Sequence, residues 1–182
     1  MIPSRPKVVL LGGTGFVGTD LAHSLKQDHE VVLLRSRLCG PGGYDVEAGW
    51  MDADVLRGAD AIVNLAGSPI AVRWNKSVRA EILSSRAGTN RLLVDTLARA
   101  GLAPRVVISL SGINRYAADP EAEIDESSPL DSSGFLGSVC RAWEAPLADL
   151  PSTTRGVILP TGVVIGPGGA LLKMAPTFRL GL

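Results

Sequence analysis

Hydrophobic runs of strand length alternate with helix-period segments along most of the chain, the pattern of repeated βα units on a parallel sheet. Lys7 to Leu11 predicts the first strand. Val17, Leu21 and Leu25 recur at every fourth position and predict a helix from about Gly15 to Lys26 whose apolar stripe covers that strand. Val31 to Leu34 and Ala61 to Leu65 read as further strands, while Cys39 to Asp54, with four glycines and a proline, reads as loop with one weak strand near Tyr44 to Val46. Val78, Ile82, Leu92, Leu93 and Leu97 predict one long helix between Lys76 and Ala100. Arg105 to Leu110 returns as a buried strand, and the acidic stretch Gly112 to Leu130 as a surface loop. Leu136, Val139, Cys140, Trp143 and Leu147 share one helical face, which Pro146 distorts or ends. Gly156 to Leu159 is the last clear strand. The turn Gly166-Pro167-Gly168-Gly169 then precedes a short predicted helix over Ala170 to Phe178.

Composition narrows the class. With 182 residues, 46% of them hydrophobic and 20% charged, the chain suits one core and not a disordered segment. Eighteen Lys and Arg balance eighteen Asp and Glu, so net charge points to neither nucleic acid nor an anionic membrane. The longest uncharged run, Gly156 to Leu172, carries five glycines and two prolines and is too broken for a membrane span. The apolar stretch Val8 to Leu11 stops at Gly12-Gly13, shorter than the core of a secretory signal. Cys39 and Cys140 are far apart and belong to no Cys-x-x-Cys, which fits a reducing cytoplasm and suggests no metal site.

The densest chemical signal is Val8-Val9-Leu10-Leu11-Gly12-Gly13-Thr14-Gly15-Phe16-Val17-Gly18. Gly12, Gly15 and Gly18 fall at G-x-x-G-x-x-G spacing directly after a strand and across the start of a helix. A glycine turn there lets backbone approach a pyrophosphate, the helix-start N–H groups face it, and the last glycine allows close helix packing. Thr14 adds a hydroxyl for phosphate. The plainer alternative is a tight structural turn. At the end of the second strand, where a NAD site needs an acid for the ribose hydroxyls, stand Arg35-Ser36-Arg37. Guanidiniums and a hydroxyl suit a 2′-phosphate, so NADP is favoured over NAD, and a methyltransferase using S-adenosylmethionine is disfavoured for the same reason. A solvated basic strand end is the alternative.

Together with the glycine turn, Asn64-Leu65-Ala66-Gly67, Arg73-Trp74, Ser85-Arg86, Trp143-Glu144, Thr161-Gly162-Val163-Val164 and Phe178-Arg179-Leu180-Gly181-Leu182 resemble the epimerase-family proteins of the atypical extended short-chain dehydrogenase/reductases. The resemblance covers essentially the whole chain. It implies an α/β, Rossmann-type doubly wound parallel sheet binding NADP(H), and an oxidoreductase or nucleotide-sugar epimerase activity on an unidentified small molecule. It also implies the cofactor contacts: Thr14, Gly15, Phe16 and Val17 at the pyrophosphate, Arg35 and Ser36 at the 2′-phosphate, Leu65 and Ala66 on the adenosine side, Glu81 and Arg86 as polar contacts, and Thr161 with Gly162 beside the nicotinamide. Glu81, Ser85 and Gly88 form a small polar helical stripe, which agrees with that role or with an ordinary solvated face. Family members continue beyond Leu182 with a substrate-binding portion. The expected organisation over residues 1–182 is therefore a single nucleotide-binding domain without that portion.

The expected chemistry is incomplete. The superfamily's Tyr-x-x-x-Lys pair, acid/base and ribose-binding cation, falls on Leu136 and Cys140 by counting back from Trp143-Glu144. Neither residue can replace it, and relatives in this group commonly lack the pair. Ser111, just beyond the fifth strand, matches the serine that holds a substrate carbonyl, and Tyr116 is the one phenol near it. These are the catalytic candidates, set against a turn serine and a packing tyrosine. Cys140 and Trp143 read as core, and Glu144 as either functional or a solvated helical charge. A non-catalytic NADP(H)-sensing module is the alternative function, since some relatives have been associated with cell or plastid division.

Overall fold

A computed structural model of the chain describes residues 5–117, 121, 123–131, 133–166, 168–169, 175–176 and 178–179. Strand β1 (Lys7–Leu11) leads through the glycine turn into α1 (Phe16–Leu25), then β2 (Glu30–Ser36). After β3 (Gly43–Asp45), β4 (Trp50–Met51) and the short α2 (Ala53–Leu56) come β5 (Ala61–Asn64), α3 (Lys76–Leu83) and α4 (Thr89–Ala100). The chain continues with β6 (Val106–Gly112), α5 (Phe135–Glu144) and β7 (Arg155–Thr161).

The seven strands form one sheet in the order β4-β3-β2-β1-β5-β6-β7, parallel except for the β3–β4 pair. Order reverses between β1 and β5, and at such a switch point the crossovers leave a crevice at the carboxyl ends of the strands. Alternation along β1 explains the two layers. Val9 and Leu11 pack with Ile62, Val107 and the α4 residues Leu92, Leu93 and Leu97. Val8 and Leu10 turn to the other face with Ala22, Leu21 and Leu25 of α1.

The glycine-rich stretch after β2 is not simply loop. The weak strand expected near Tyr44 to Val46 is present as β3, where Gly43 and Tyr44 pair with Arg35 and Ser36, and β4, which local propensity does not signal, adds an antiparallel partner. The long helix predicted over Lys76 to Ala100 is continuous but passes through a π-helical segment, Ser84–Gly88. Ile82 before the widened turn and Leu92, Leu93 and Leu97 after it are all buried. Pro146 ends α5 as expected, in the first turn of a 3-10 segment over Ala145–Asp149. Pro160 lies within β7, tolerated because β7 pairs only with β6 among the described residues. Of the helix predicted over Ala170 to Phe178, residues 170–174 and 177 lie outside the described set.

Candidate functional site

The crevice at the carboxyl ends of β1, β2 and β5 gathers most of the residues singled out above. Gly12 adopts a left-handed backbone, φ +74°, and a β-carbon there would lie 2.7 Å from the backbone of Leu65 and Ala66. This close approach locks the turn after β1 against the turn after β5. Gly18 packs so tightly that a β-carbon would collide with the Gly12 carbonyl oxygen. Gly15 differs, because its β-carbon would meet only that same oxygen, at 3.2 Å. Gly15 caps α1, and the first-turn N–H groups of a helix have no acceptor within it. A cradle of backbone donors with no side chain in front of it fits a pyrophosphate.

Beside the turn, a cavity of about 460 Å³ is lined by Ser36, Arg37, Tyr44, Ala66, Glu81 and Ser85, among others. Ser36 and Arg37 line its β2 side, and Arg35, one residue earlier on the strand, is exposed but not part of the lining. Arg37 takes a left-handed backbone, φ 58°, and its guanidinium meets the Glu81 carboxylate at 2.7 Å, joining the end of β2 to α3. Tyr44 closes the floor. Burial pushes its phenol above the ordinary value, offset by the Ser36 and Thr89 hydroxyls. Ser85 Oγ accepts the Ser68 N–H at 3.0 Å from within the π-helical segment. Arg86, from the same segment, stacks on Trp143 at 5.3 Å and lies so close to Gly67 that a β-carbon there would be 2.9 Å from its guanidinium. Burial lowers the pKa of Arg86, offset by its electrostatic interaction with Cys140.

The turn at Leu65 and Ala66 is held from beneath by a buried amide network that residue spacing did not reveal. Asn64 Oδ1 accepts from the Ala66 N–H at 2.9 Å and its amide donates to Asn90 Oδ1 at 2.6 Å. Asn90 in turn donates to Ser109 Oγ and to the Trp143 carbonyl. The sequence signal for this network was two asparagines inside otherwise apolar core segments. Above the cavity, Trp74 meets Phe135 edge-on at 5.2 Å with Arg79 over both rings, tying the loop after β5 to the start of α5.

Ser111 and Thr161 stand at the carboxyl ends of β6 and β7, where Gly112 is in register with Thr161. Ser111 is 3% exposed, and its hydroxyl donates to Glu144 Oε1. Glu144 Oε2 is 3.2 Å from the Arg115 guanidinium, which also lies 5.3 Å over the Tyr116 ring. A hydroxyl has one proton. In this arrangement Ser111 spends it on the carboxylate and faces other groups as an acceptor. Tyr116 is buried and bridges to Leu130 across the loop. On α5, Leu136 lies in the first turn and Cys140 is buried, its Sγ 3.6 Å from the Gly112 carbonyl.

Comparison with known proteins agrees with this geometry. The human epimerase family protein SDR39U1 is 39% identical over 97% of this chain, which spans 61% of that protein's length. The crystal structure of human epimerase family protein SDR39U1 (isoform2) with NADPH superposes with a TM-score of 0.79 and 37% identity, over 97% of this chain and 60% of that one. A nucleoside-diphosphate sugar epimerase from Corynebacterium glutamicum gives a TM-score of 0.74 at 31% identity, over 97% of this chain and 38% of its own. The model of the NAD dependent epimerase/dehydratase family matches residues 8–138, from the first strand through the glycine turn to α5, and the chain belongs to that family.

Proposed function

We propose that this chain binds NADP(H) in the crevice between β1, β2 and β5 as the nucleotide-binding part of an oxidoreductase or epimerase of its family. The observation that carries the reading is the juxtaposition of the open Gly12–Gly18 cradle with Arg35, Ser36 and Arg37 at the neighbouring strand end. Gly15 would let the pyrophosphate approach, its own N–H being held by the Gly12 carbonyl at 3.0 Å, while the N–H groups at Phe16 and Val17 would hold it, Thr14 would add its hydroxyl, and Arg35 with Ser36 would take the 2′-phosphate. Leu65, Ala66, Glu81 and Arg86 would line the adenosine side and Thr161 the nicotinamide side. The structure with NADPH of a 37% identical relative supports the choice of cofactor. Bound there, the dinucleotide supplies hydride transfer, and this chain's residues bind it and orient it.

A second reading, a binding module without turnover, is favoured by Ser111. Its proton is engaged by Glu144, and Leu136 and Cys140 on α5 stand in place of the superfamily's Tyr and Lys. Titration of NADPH and NADH into wild type and an Arg35→Asp variant separates the cofactors. Each lost charge-assisted phosphate bond weakens NADPH by about 1.5 to 3 kcal/mol, so wild type prefers NADPH and the variant loses that preference. Equal affinities in wild type would overturn the cofactor assignment. NADPH oxidation against a carbonyl panel then decides between enzyme and module. The module reading requires background rates, since loss of acid/base assistance lowers turnover by about 10² to 10⁴.

A further inference from the structure

The chain does not leave the sheet where β7 ends. A β-carbon at Gly162 would lie 3.8 Å from Ile113, just beyond β6. Four residues later the backbone is against Phe16, at the start of α1 beyond β1. A β-carbon at Gly166 would be 2.7 Å from Phe16 Cζ, one at Gly168 3.0 Å from Cδ2 and Cε2, and one at Gly169 3.0 Å from Cδ1. Three glycines therefore press bare backbone onto both edges of one ring. Gly169 also needs its left-handed φ of +65°, and an antiparallel bridge between Ile165 and Gly169 closes the turn around the ring.

Given the strand order, the path from β7 to Phe16 crosses the carboxyl ends of β6 and β5. Those strand ends are three inter-strand spacings apart, about 14 Å, which four or five extended residues span. Along the way Val163 and Ile165 are 70% and 77% exposed, so the anchoring contacts lie at Ile113 and the ring and not along the arm. A dinucleotide on this fold runs from the adenosine side at β2, past the turn after β1, to the side of β5 and β6.

We propose that residues 162–166 form an arm across the nicotinamide side of the cleft, with Phe16 as its docking post and a positioning residue for the cofactor. This rests on the NADP(H) reading above. Phe16 belongs at once to the pyrophosphate cradle and to the seat of the arm. A well-seated arm holds the first turn of α1 in place, and a dinucleotide reaching under the arm holds the arm. The adenosine half alone, confined to the β2 side, does neither.

The experiment compares NADPH with adenosine 2′-phosphate, which carries no 5′-phosphate for the cradle. In the wild-type chain, NADPH slows amide hydrogen exchange over residues 162–166 by about tenfold or more while adenosine 2′-phosphate leaves it unchanged. Gly166→Val, which wedges the turn off the Phe16 ring, weakens NADPH by about tenfold and adenosine 2′-phosphate, which makes no contact with the cradle, by less than about twofold. Combined with Phe16→Leu, which makes room, the loss is smaller than the sum of the two separate losses. Unchanged exchange on NADPH binding, or equal weakening of both ligands in Gly166→Val, overturns the proposal. If Gly166→Val does not fold, the wild-type exchange experiment decides alone. Failure of wild type to bind either ligand overturns the NADP(H) reading and the arm with it, whereas binding of both with an indifferent arm overturns only the arm.

Discussion

Gly15 and Gly18 stand three residues apart in one motif yet do opposite work. Gly18 lets α1 sit on the Gly12 carbonyl, so Gly18→Ala forces helix and turn apart and lowers stability by about 1 to 3 kcal/mol. Gly15 has room on the protein side, and Gly15→Val keeps the fold while its side chain occupies the space a pyrophosphate needs. Urea midpoints and NADPH titration on the two variants show this crossing of effects, and a folded Gly15→Val that binds NADPH at full strength makes the turn structural only. Tyr44 links stability to pH. Its folded pKa is raised by burial above 10.0, so in alkaline solution the unfolded chain releases a proton that the folded chain keeps. Stability attributable to the neutral phenol is complete below the unfolded value and is lost as pH rises through the folded one. Tyr44→Phe accordingly loses less stability than wild type between about pH 9 and 11, measured by denaturant unfolding.

Among the elements, the site depends on how four of them are tied together. Asn90 on α4 reaches Asn64 at the end of β5, Ser109 on β6 and the Trp143 carbonyl on α5. Asn90→Ala removes the hub and leaves several buried polar groups without partners, which lowers stability by about 2 to 4 kcal/mol. It also frees the turn carrying Leu65 and Ala66, so NADPH affinity falls in parallel. Asn90→Leu separates packing from polarity: if it matches wild type in urea, the network contributes nothing. The π-helical segment acts at the same scale. Lying between the buried Ile82 and Leu93, it puts Ser85 and Arg86 against the turn after β5, where Ser85 accepts the Ser68 N–H and Arg86 lies close to Gly67.

For the molecule as a whole, cofactor binding and folding are one linked equilibrium. A ligand taken only by the folded chain adds about 2.7 kcal/mol to its stability at a hundred times its dissociation constant. NADPH at that concentration raises the unfolding free energy by this amount, and NADH at the same concentration raises it less, because it brings no 2′-phosphate to Arg35 and Ser36. Thermal or urea unfolding with each cofactor provides the check; equal shifts argue against phosphate recognition. Among the described residues no helix is long and apolar enough to cross a membrane.

How much of this was written in the chain follows from how local each cause is. Strand β1, the glycine turn and α1 are adjacent in sequence, and the turn's steric demand and the apolar stripe both act within about two helical turns, so their places and chemistry were legible from residue order. The same holds for the place of Arg35 and Ser36 at the end of the next strand. Other features depend on residues far apart. β4 exists because it pairs with β3, which in turn finds the end of β2, the π-helical segment lies where Ser85 and Arg86 meet the turn after β5, and the Asn64–Asn90 network forms where β5, α4, β6 and α5 converge. The engagement of Ser111 by Glu144 and the seating of Gly166, Gly168 and Gly169 on Phe16 are of this kind too. Residue types in their order pointed to a sheet that is parallel but for its β3–β4 edge and to a tight glycine turn that opens it. Only packing decided which hydroxyl keeps its proton and which distant backbone closes on the turn, because those contacts form where elements meet and leave no period along the chain.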